Sequence, residues 1–399
     1  MKYRTIPKTQ DQISILGLGA MRLDSNPKNN ETNKKIIKYA IDNGINLIDT
    51  AYLYGNGRNE KAIGTALKEL GYRKKVKIST KMNRLKIKTQ QDMENMLQEQ
   101  LTSLQTNYID YYFIHNITGY QDIEKLKKQK LYQFLQEKKS QGILKNIGFS
   151  YHGSYQEFEK IVDDYNWDMS LIQLNYMDEN YQAGLDGVHY LTEKNMGIFI
   201  MEPLKGGLLA GKMPEEVEKI INTKTNKTKI ELALKWITEK PNITCVLSGM
   251  TNTEMIKENI NIINDENPLT LEDLEIIELI KRKITQLNKI NCTGCNYCMP
   301  CPKGIYIPDA FKLYNEKYLF QEKQFKIINK SFINYIGNLM GITGQRHDAN
   351  LCNQCGACIR KCPQHINIPK QLKTIDKEFH GKLIRPIVPI LKKLMDFVL

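Results

Sequence analysis

The chain has 399 residues, of which 41% are hydrophobic, and a formal net charge of +13. This size and apolar content predict one large core and a smaller second one. No run of about eighteen apolar residues occurs, which argues against a transmembrane helix. The polar start MKYRTIPKTQDQIS lacks the apolar stretch of a signal peptide, so a cytoplasmic location is expected.

The first 290 residues alternate short apolar runs with longer amphipathic stretches. The runs predict eight strands, at Ile13–Leu18, Ile45–Asp49, Val76–Thr80, Ile109–Ile114, Ile143–Phe149, Leu171–Asn175, Gly197–Met201 and Ile243–Leu247. Eight such strands over about 250 residues favour an α/β fold, a parallel (β/α)8 TIM barrel. An open doubly wound sheet is the alternative, but LGLGAM has only Gly17 and Gly19 of the dinucleotide-binding glycine pattern.

Polar residues follow three consecutive predicted strands. Asp49 ends the second strand, Lys81 follows the third and His115 the fourth, while Tyr54 lies on the loop after Asp49. In a barrel these strand ends form the rim that carries the active site. Each residue also has a simpler explanation: a helix cap for Asp49, a surface lysine, or a core histidine. Tyr52 competes with Tyr54 for the same position.

Together the four side chains suit the protonation of a carbonyl oxygen. A phenol with a pKa near 10 is a weak acid at neutral pH, and a neighbouring ammonium lowers that pKa by stabilising the phenolate. The aspartate orients the lysine, and the histidine donates a hydrogen bond to the substrate oxygen. The hydride must come from a nicotinamide, because no side chain supplies one.

Several motifs resemble those of the aldo-keto reductase family. They are GLGAMRL (17–23), GINLIDTAYLYGNG (44–57), ISTKM (78–82), YIDYYFIHN (108–116), IGFS (147–150), IQLNYM (172–177), EPLKGGLLAGK (202–212) and VLSGMTNTEMIKEN (246–259). The resemblance implies a catalytic tetrad of Asp49, Tyr54, Lys81 and His115, and it selects Tyr54 over Tyr52. The substrate expected is a small carbonyl compound or alcohol.

The same resemblance implies a nicotinamide site. Ser150 and Gln173 would hold the carboxamide, and Glu258 and Asn259 would lie near the adenine. The remaining cofactor contacts expected from the family are Gly19, Ala20, Met21, Asp49, Met201, Leu204, Lys205, Ser248 and Gly249.

This sequence departs from the family at several of its cofactor positions. Met201 stands where a stacking tyrosine is usual, and Tyr151 where many members have asparagine. Gly249 and Met255 replace basic residues that clamp the 2′-phosphate, for which Lys205 or Lys257 would substitute. NADP(H) is therefore favoured over NAD(H) only slightly.

Eight of the nine cysteines form two runs near the C-terminal end. CNQCGACIRKCP places Cys352, Cys355, Cys358 and Cys362 in the C-x2-C-x2-C-x3-C-P ferredoxin pattern for a [4Fe-4S] cluster. CTGCNYCMPCP places Cys292, Cys295, Cys298 and Cys301 at one residue less before the last cysteine. Two runs that both end in Cys-Pro predict two clusters.

In two-cluster ferredoxins the fourth cysteine of each run ligates the other cluster. We therefore expect Cys362 to complete the set of Cys292, Cys295 and Cys298, and Cys301 to complete the other set. Zinc is the alternative metal for such CxxC pairs, and Cys245 is expected to be a core residue. The helical pattern between the runs resembles an α-helical ferredoxin-type domain, and the whole chain resembles an iron–sulfur branch of the aldo-keto reductases.

The last 109 residues are also basic, with 16 Lys and Arg against 7 Asp and Glu. We favour counterions for negative clusters over nucleic acid, since no recognition motif accompanies the charge. The expected domains are a barrel (1–268), a connecting helix (269–290), a 4Fe-4S domain (291–380) and an apolar tail (381–399).

Three functions remain open at this point. The preferred hypothesis is an oxidoreductase that couples NAD(P)H-linked carbonyl or alcohol chemistry to electron transfer through the clusters and a redox partner protein. A flavin would normally split the hydride into single electrons, although no flavin motif is present. The alternatives are a plain carbonyl reductase with structural or sensing clusters, and an electron-transfer or scaffold subunit with a vestigial barrel.

Overall fold

The computed structural model describes residues 1–26, 29–319, 330–340 and 346–384. Two compact units make up the chain. The first joins Met1–Leu204 to Lys229–Leu271, and the second joins Lys205–Thr228 to the chain from Glu272 onward. The expected domain limits stay a prediction, and the apolar tail lies outside the described residues from 385 onward.

The first unit is a closed barrel of eight parallel strands, as the sequence predicts. A hairpin of β1 (Tyr3–Thr5) and β2 (Gln12–Ser14) precedes it. The barrel strands are β3 (Leu16–Gly19), β4 (Leu47–Asp49), β5 (Lys77–Asn83), β6 (Ile109–Ile117), β7 (Leu144–Tyr151), β8 (Met169–Gln173), β9 (Gly197–Met201) and β10 (Cys245–Ser248). Pairing of β10 with β3, in the register Val246 to Leu16, closes the ring.

The helices that the described residues form are, in chain order, α1 (Asn30–Asp42), α2 (Asn59–Leu70), α3 (Gln90–Leu104), α4 (Tyr120–Lys127), α5 (Leu131–Ser140), α6 (Tyr155–Asp164), α7 (Gly184–Glu193), α8 (Glu215–Lys224), α9 (Lys229–Thr238), α10 (Thr253–Asn264), α11 (Leu271–Leu287), α12 (Ile307–Leu319), α13 (Lys330–Asn334) and α14 (Ile368–Ile384). In the part of the chain that the structure describes, no helix is long and apolar enough to cross a membrane.

The barrel interior is filled by alternate strand residues. Its buried cluster combines side chains from the hairpin and from five barrel strands: Ile6, Ile13, Leu47, Tyr111, Phe113, Met169, Leu171, Phe199, Cys245 and Leu247. The two-residue spacing within β6, β8 and β10 is the strand period, which turns every second side chain inward. Cys245 is fully buried in this core, as expected.

The predicted strand Ile13–Leu18 is wrong in one respect, because it is two strands. Gln12–Ser14 pairs antiparallel with Tyr3–Thr5, and the barrel strand begins only at Leu16. The carboxylate of Asp11, in this hairpin, accepts hydrogen bonds from Tyr111, Lys77 and Asn146. The hairpin therefore closes the barrel at the end where the strands begin and leaves the opposite rim for the site.

The second unit is helical and has its own core. Its buried side chains come from α12, from the segment around Tyr335 and from α14, with Phe311, Tyr335 and Phe379 among the largest. The rings of Tyr335 and Phe379 stack with centroids 4.3 Å apart. The predicted helical stretch between the cysteine runs is helical at 307–319 and 330–339. Residues 320–329 and 341–345 lie outside the described part.

Candidate active site and cysteine centres

A buried ion pair joins the ends of β4 and β5. The Lys81 ammonium donates to both oxygens of Asp49 and to the Thr50 carbonyl, each at 2.7 Å. Ser79 donates a further hydrogen bond to Asp49 at 2.6 Å. Burial lowers the pKa of Lys81, while the charges of Asp49 and Glu60 oppose that change. Asp49 thus keeps an ammonium in a site that water does not reach.

Tyr54 follows β4 on a tight turn and lies over this ion pair. The Lys81 nitrogen is 4.9 Å from the centroid of the Tyr54 ring. Gly55 has a φ of 57°, and a Cβ there would lie 2.0 Å from the hydroxyl oxygen of Ser25. Asn59 anchors the loop, since it accepts from Thr50 and donates to Ser25 and the Ala20 carbonyl. The turn therefore requires glycine directly after the tyrosine.

The alternative tyrosine has a different environment. The Tyr52 hydroxyl donates to Glu99 at 2.8 Å, and burial together with that carboxylate raises the pKa of Tyr52 to about 12. The ring of Tyr54 instead meets His115 edge to face, with centroids 6.0 Å apart. Of the two tyrosines, Tyr54 is the one that lies beside both the lysine and the histidine.

His115 lies within β6 and is 3% exposed. Burial lowers the pKa of His115 well below its usual value, and Lys81, His152 and Arg84 lower it further. The imidazole is therefore neutral at physiological pH, and it keeps one N–H to donate. The structure brings all four predicted tetrad residues together, although β5 and β6 continue two residues past Lys81 and His115.

A buried polar network behind Lys81 was not recognised in the sequence. The Glu60 carboxylate accepts hydrogen bonds from Thr80 and Gln100, and Gln100 also donates to the Lys81 carbonyl at 3.1 Å. Tyr112 donates to the Gln100 side chain at 2.8 Å. Burial raises the pKa of Glu60. The only signal available was an acidic residue on the apolar face of α2.

The residues expected at the nicotinamide ring lie at the ends of β7, β8 and β9. Ser150 is buried, and its hydroxyl oxygen accepts a hydrogen bond from the backbone N–H of Asn116 at 2.7 Å. Gln173 donates to Asp178 at 3.0 Å. Met201 is half-buried against the barrel core, whereas Tyr151 turns outward and donates to the Ser154 carbonyl.

The other cofactor positions divide between the two units. Leu204 is half-buried and is the last residue of the segment Met1–Leu204 of the first unit. Lys205 is buried and is the first residue of the second unit. Gly19 adjoins β10, because a Cβ there would lie 3.3 Å from the Ser248 carbonyl oxygen. Its neighbours Ala20 and Met21 are buried and half-buried, respectively.

The residues expected near the adenine lie in the second turn of α10. Asn259 donates to Ser248 at 3.0 Å within the barrel, while Glu258 and Lys257 are exposed. A Cβ on Gly249 would lie 3.2 Å from the Arg22 side chain. Arg22 was missed in the sequence, because Gly249 and Arg22 are brought together only by the pairing of β10 with β3.

The eight cysteines of the two runs line two cavities, four in each. Cys292, Cys295 and Cys298 share the first cavity with Cys362. The second cavity contains Cys352, Cys355, Cys358 and Cys301. The last cysteine of each run therefore lies with the first three of the other run.

The thiols of each cavity influence one another. Burial raises the pKa of Cys298, and Cys295, Cys292 and Cys362 raise it further. For Cys358 the corresponding neighbours are Cys352, Cys301 and Cys355. Four cysteine thiols at each cavity are the ligand set of a [4Fe-4S] cluster.

Comparison with known families gives two matches that together cover most of the chain. Residues 15–282 match the model of the aldo/keto reductase family, and residues 291–368 match that of the 4Fe-4S dicluster domain. Among curated relatives, the aldo-keto reductase YhdN of Bacillus subtilis is 27% identical over 62% of this chain and 85% of its own. L-Galactose dehydrogenase of Arabidopsis thaliana is 26% identical over 70% and 96%.

Solved structures of similar proteins share the barrel. The aldo-keto reductase AKR11C1 from Bacillus halodurans has a TM-score of 0.60 and 24% identity, over 70% of this chain and 96% of its own. An aldo-keto reductase from Klebsiella pneumoniae in complex with NADPH has a TM-score of 0.58 and 17% identity over the same shares. At these identities the likeness establishes the fold.

The substitution His115→Gln tests the neutral state of the imidazole. Because folding lowers the pKa of His115, the unfolded chain binds a proton below about pH 6.5 that the folded chain does not. The wild type should therefore lose up to about 1.4 kcal/mol of stability per pH unit from this group as the pH falls, and the variant should not. Thermal unfolding between pH 8 and pH 5 measures the difference. Equal acid slopes for the two proteins would contradict it.

Proposed function

The chain belongs to the aldo/keto reductase family, and from that premise we propose that its barrel carries out nicotinamide-linked reduction of small carbonyl compounds, or the reverse oxidation of alcohols. We further propose that two [4Fe-4S] clusters in the second unit connect this chemistry to a one-electron partner. The observation that carries the barrel's role is the group of buried Asp49, Lys81 and His115 with the half-buried Tyr54 beside them. A scaffold with a vestigial barrel has no physical need for such an arrangement.

Tyr54 acts as the proton donor in this proposal. When bound, the nicotinamide supplies the hydride to the carbonyl carbon, and the Tyr54 hydroxyl gives its proton to the carbonyl oxygen. The Lys81 ammonium, 4.9 Å from the phenol ring, stabilises the phenolate that remains. Asp49 holds that ammonium in place through two hydrogen bonds. In the reverse direction the phenolate accepts the proton of the alcohol.

His115 supplies a hydrogen bond without competing as an acid. Its depressed pKa keeps the ring neutral, so the N–H polarises the substrate oxygen while the proton that moves comes from Tyr54. The hydrophobic burial that lowers this pKa also keeps bulk water from the reacting atoms.

The start of α10 suits the phosphates of a nicotinamide cofactor. The backbone N–H groups of a helix N-terminus bind anions, and Gly249 leaves the space before α10 without a side chain. Arg22 flanks that glycine and is a candidate for the 2′-phosphate in place of the family's usual basic residues. The NADPH complex of the Klebsiella relative supports the same cofactor here. Ser150 and Gln173 would then face the carboxamide, and Met201 the ring.

The two cysteine cavities fit [4Fe-4S] clusters. Each is lined by four thiols, the ligand number that a cubane requires. We propose that Cys362 completes the cluster of Cys292, Cys295 and Cys298, and that Cys301 completes the other.

Coupling the barrel to the clusters requires the hydride to be divided. A hydride carries two electrons, and each cluster exchanges one. Oxidation of one reduced nicotinamide would release two electrons, one to each cluster, and one proton to water, and a flavin is the usual agent of this division. The two four-thiol cavities support a redox role for the second unit, whereas the complete tetrad alone would also serve a plain carbonyl reductase.

Replacement of Tyr54 by Phe should remove the proton donor and leave the fold intact. We expect NADPH-dependent reduction of a panel of small aldehydes to fall by about 10²- to 10⁴-fold. Tyr52→Phe is the matched control, because that hydroxyl binds Glu99 outside the tetrad, and its rate should stay within about threefold of wild type. Equal losses in the two variants would contradict the assignment of Tyr54.

Cysteine double variants test the exchange of ligands between the runs. Cys362→Ala should remove about half of the bound iron, since one cluster loses a ligand. Cys362→Ala with Cys295→Ala should lose no more, because both changes affect the same cluster. Cys362→Ala with Cys355→Ala should lose nearly all of it. Iron analysis and electron paramagnetic resonance of the reduced proteins measure this, with Cys245→Ala as the control.

The opposite pattern would show that each run binds its own cluster. In that case the Cys362/Cys355 double variant would retain as much iron as Cys362→Ala alone, and the Cys362/Cys295 double variant would retain almost none.

A further inference from the structure

The two cysteine cavities differ in their access to solvent. In the second cavity the Cys355 side chain is exposed, whereas in the first Cys298 is buried and its three partners are half-buried. Electron transfer between proteins slows steeply as the distance between the two centres grows. The second cavity is therefore the better exit or entry point for single electrons.

Their charged surroundings differ as well. Lys303 lines the second cavity, and no charged side chain lines the first. Lys370 and Lys373 on α14 follow Pro369 and Leu372, which line the second cavity, and Arg360 lies two residues after Cys358. We call Lys303, Arg360, Lys370 and Lys373 the basic face. All four are exposed.

The charge of the basic face is not balanced by carboxylates of the described residues. Arg346 forms an ion pair with Asp348, and Lys317 forms one with Glu378. The described part of the chain shows no ion pair for the four residues of the basic face. Beside the first cavity the charges are mixed, since Lys312 pairs with Glu316 and Asp309 lies close in the chain. Lys361, inside the second run and next to Cys362, is half-buried. Cations needed only to balance clusters would be expected equally at both cavities.

An ordered aromatic pair adjoins the basic face. The rings of Tyr306 and His347 stack with centroids 3.8 Å apart and planes 4° from parallel. The His347 ring nitrogen Nδ1 donates a hydrogen bond to the Gly304 carbonyl at 2.7 Å. The Tyr306 backbone N–H donates to the His347 carbonyl at 3.0 Å. Tyr306 is nevertheless 41% exposed. Rigid aromatic residues beside basic ones are typical of protein interfaces.

We propose that the basic face and the Tyr306–His347 pair dock a small acidic one-electron carrier protein. This inference rests on the cluster part of the proposed function. One electron passes between the second cluster and the carrier's redox centre, so that one centre is oxidised as the other is reduced. No covalent bond forms or breaks, and no proton moves. Charge complementarity selects an acidic carrier, and the aromatic pair and the adjacent exposed thiol favour a redox protein over nucleic acid or a lipid surface.

Binding between oxidised proteins tests the inference without nicotinamide chemistry. The full-length, cluster-loaded chain is titrated calorimetrically with an acidic plant-type [2Fe–2S] ferredoxin and with an acidic flavodoxin, at low and high NaCl. The test variant is Lys303→Glu, Lys370→Glu and Lys373→Glu combined. The control combines Lys61→Glu, Lys68→Glu and Lys125→Glu, three exposed barrel lysines without ion pairs among the described residues. Iron content and visible spectra verify that every protein holds its clusters.

We expect the test variant to raise the Kd for at least one carrier by about tenfold or more at low salt, and the control to leave it unchanged. High salt should remove the difference. The inference is overturned if neither carrier binds, if both variants weaken binding equally, or if phosphatidylserine vesicles or polyuridylate bind more tightly than the carriers. A chain that binds no iron at all would overturn the cluster proposal as well, which the iron analysis reveals before any titration.

Discussion

The buried pair of Lys81 and Asp49 is the interaction on which the active site depends. A lone ammonium this far from water would lose its proton, because burial disfavours the charged form. The Lys81 ammonium donates hydrogen bonds to Asp49 and to the Thr50 carbonyl, and Ser79 donates one to Asp49. These hydrogen bonds keep the pair charged. A buried pair of this kind adds little net stability. Its presence at the barrel rim is therefore better explained by chemistry than by folding.

Other features of the rim follow from that pair. Gly55 allows the turn that lays the Tyr54 ring beside the ammonium, and Asn59 fixes the loop from behind. The same positive charge, together with burial, lowers the pKa of His115. Gln100 connects Glu60 to the Lys81 backbone. The charge of Glu60, like that of Asp49, raises the pKa of Lys81 and opposes the effect of burial. One charge thus sets the states of the groups around it.

The sequence predicts the barrel and the tetrad because both depend on short-range patterns. Strand spacing and the polar residues that follow each strand indicate the rim without any knowledge of packing. The choice of Tyr54 over Tyr52 needed the family resemblance, since both lie on one short loop. Glu60, Gln100, Asn59 and Arg22 were missed because their partners lie on other elements of the barrel, from 9 to more than 200 positions away in the chain. The hairpin before the barrel was missed because Ile13–Leu18 has the apolar content of one continuous strand.

We propose that the barrel and the clusters form one electron path. This can be tested by mixing the anaerobic, cluster-loaded protein with NADPH, and separately with NADH, and following the visible absorbance of the clusters. We expect bleaching with at least one nicotinamide, because on this proposal its electrons reach the clusters. Unchanged cluster absorbance, with nicotinamide binding confirmed by nicotinamide fluorescence, would contradict the proposed electron path. The protein would then be a carbonyl reductase whose clusters have a structural role.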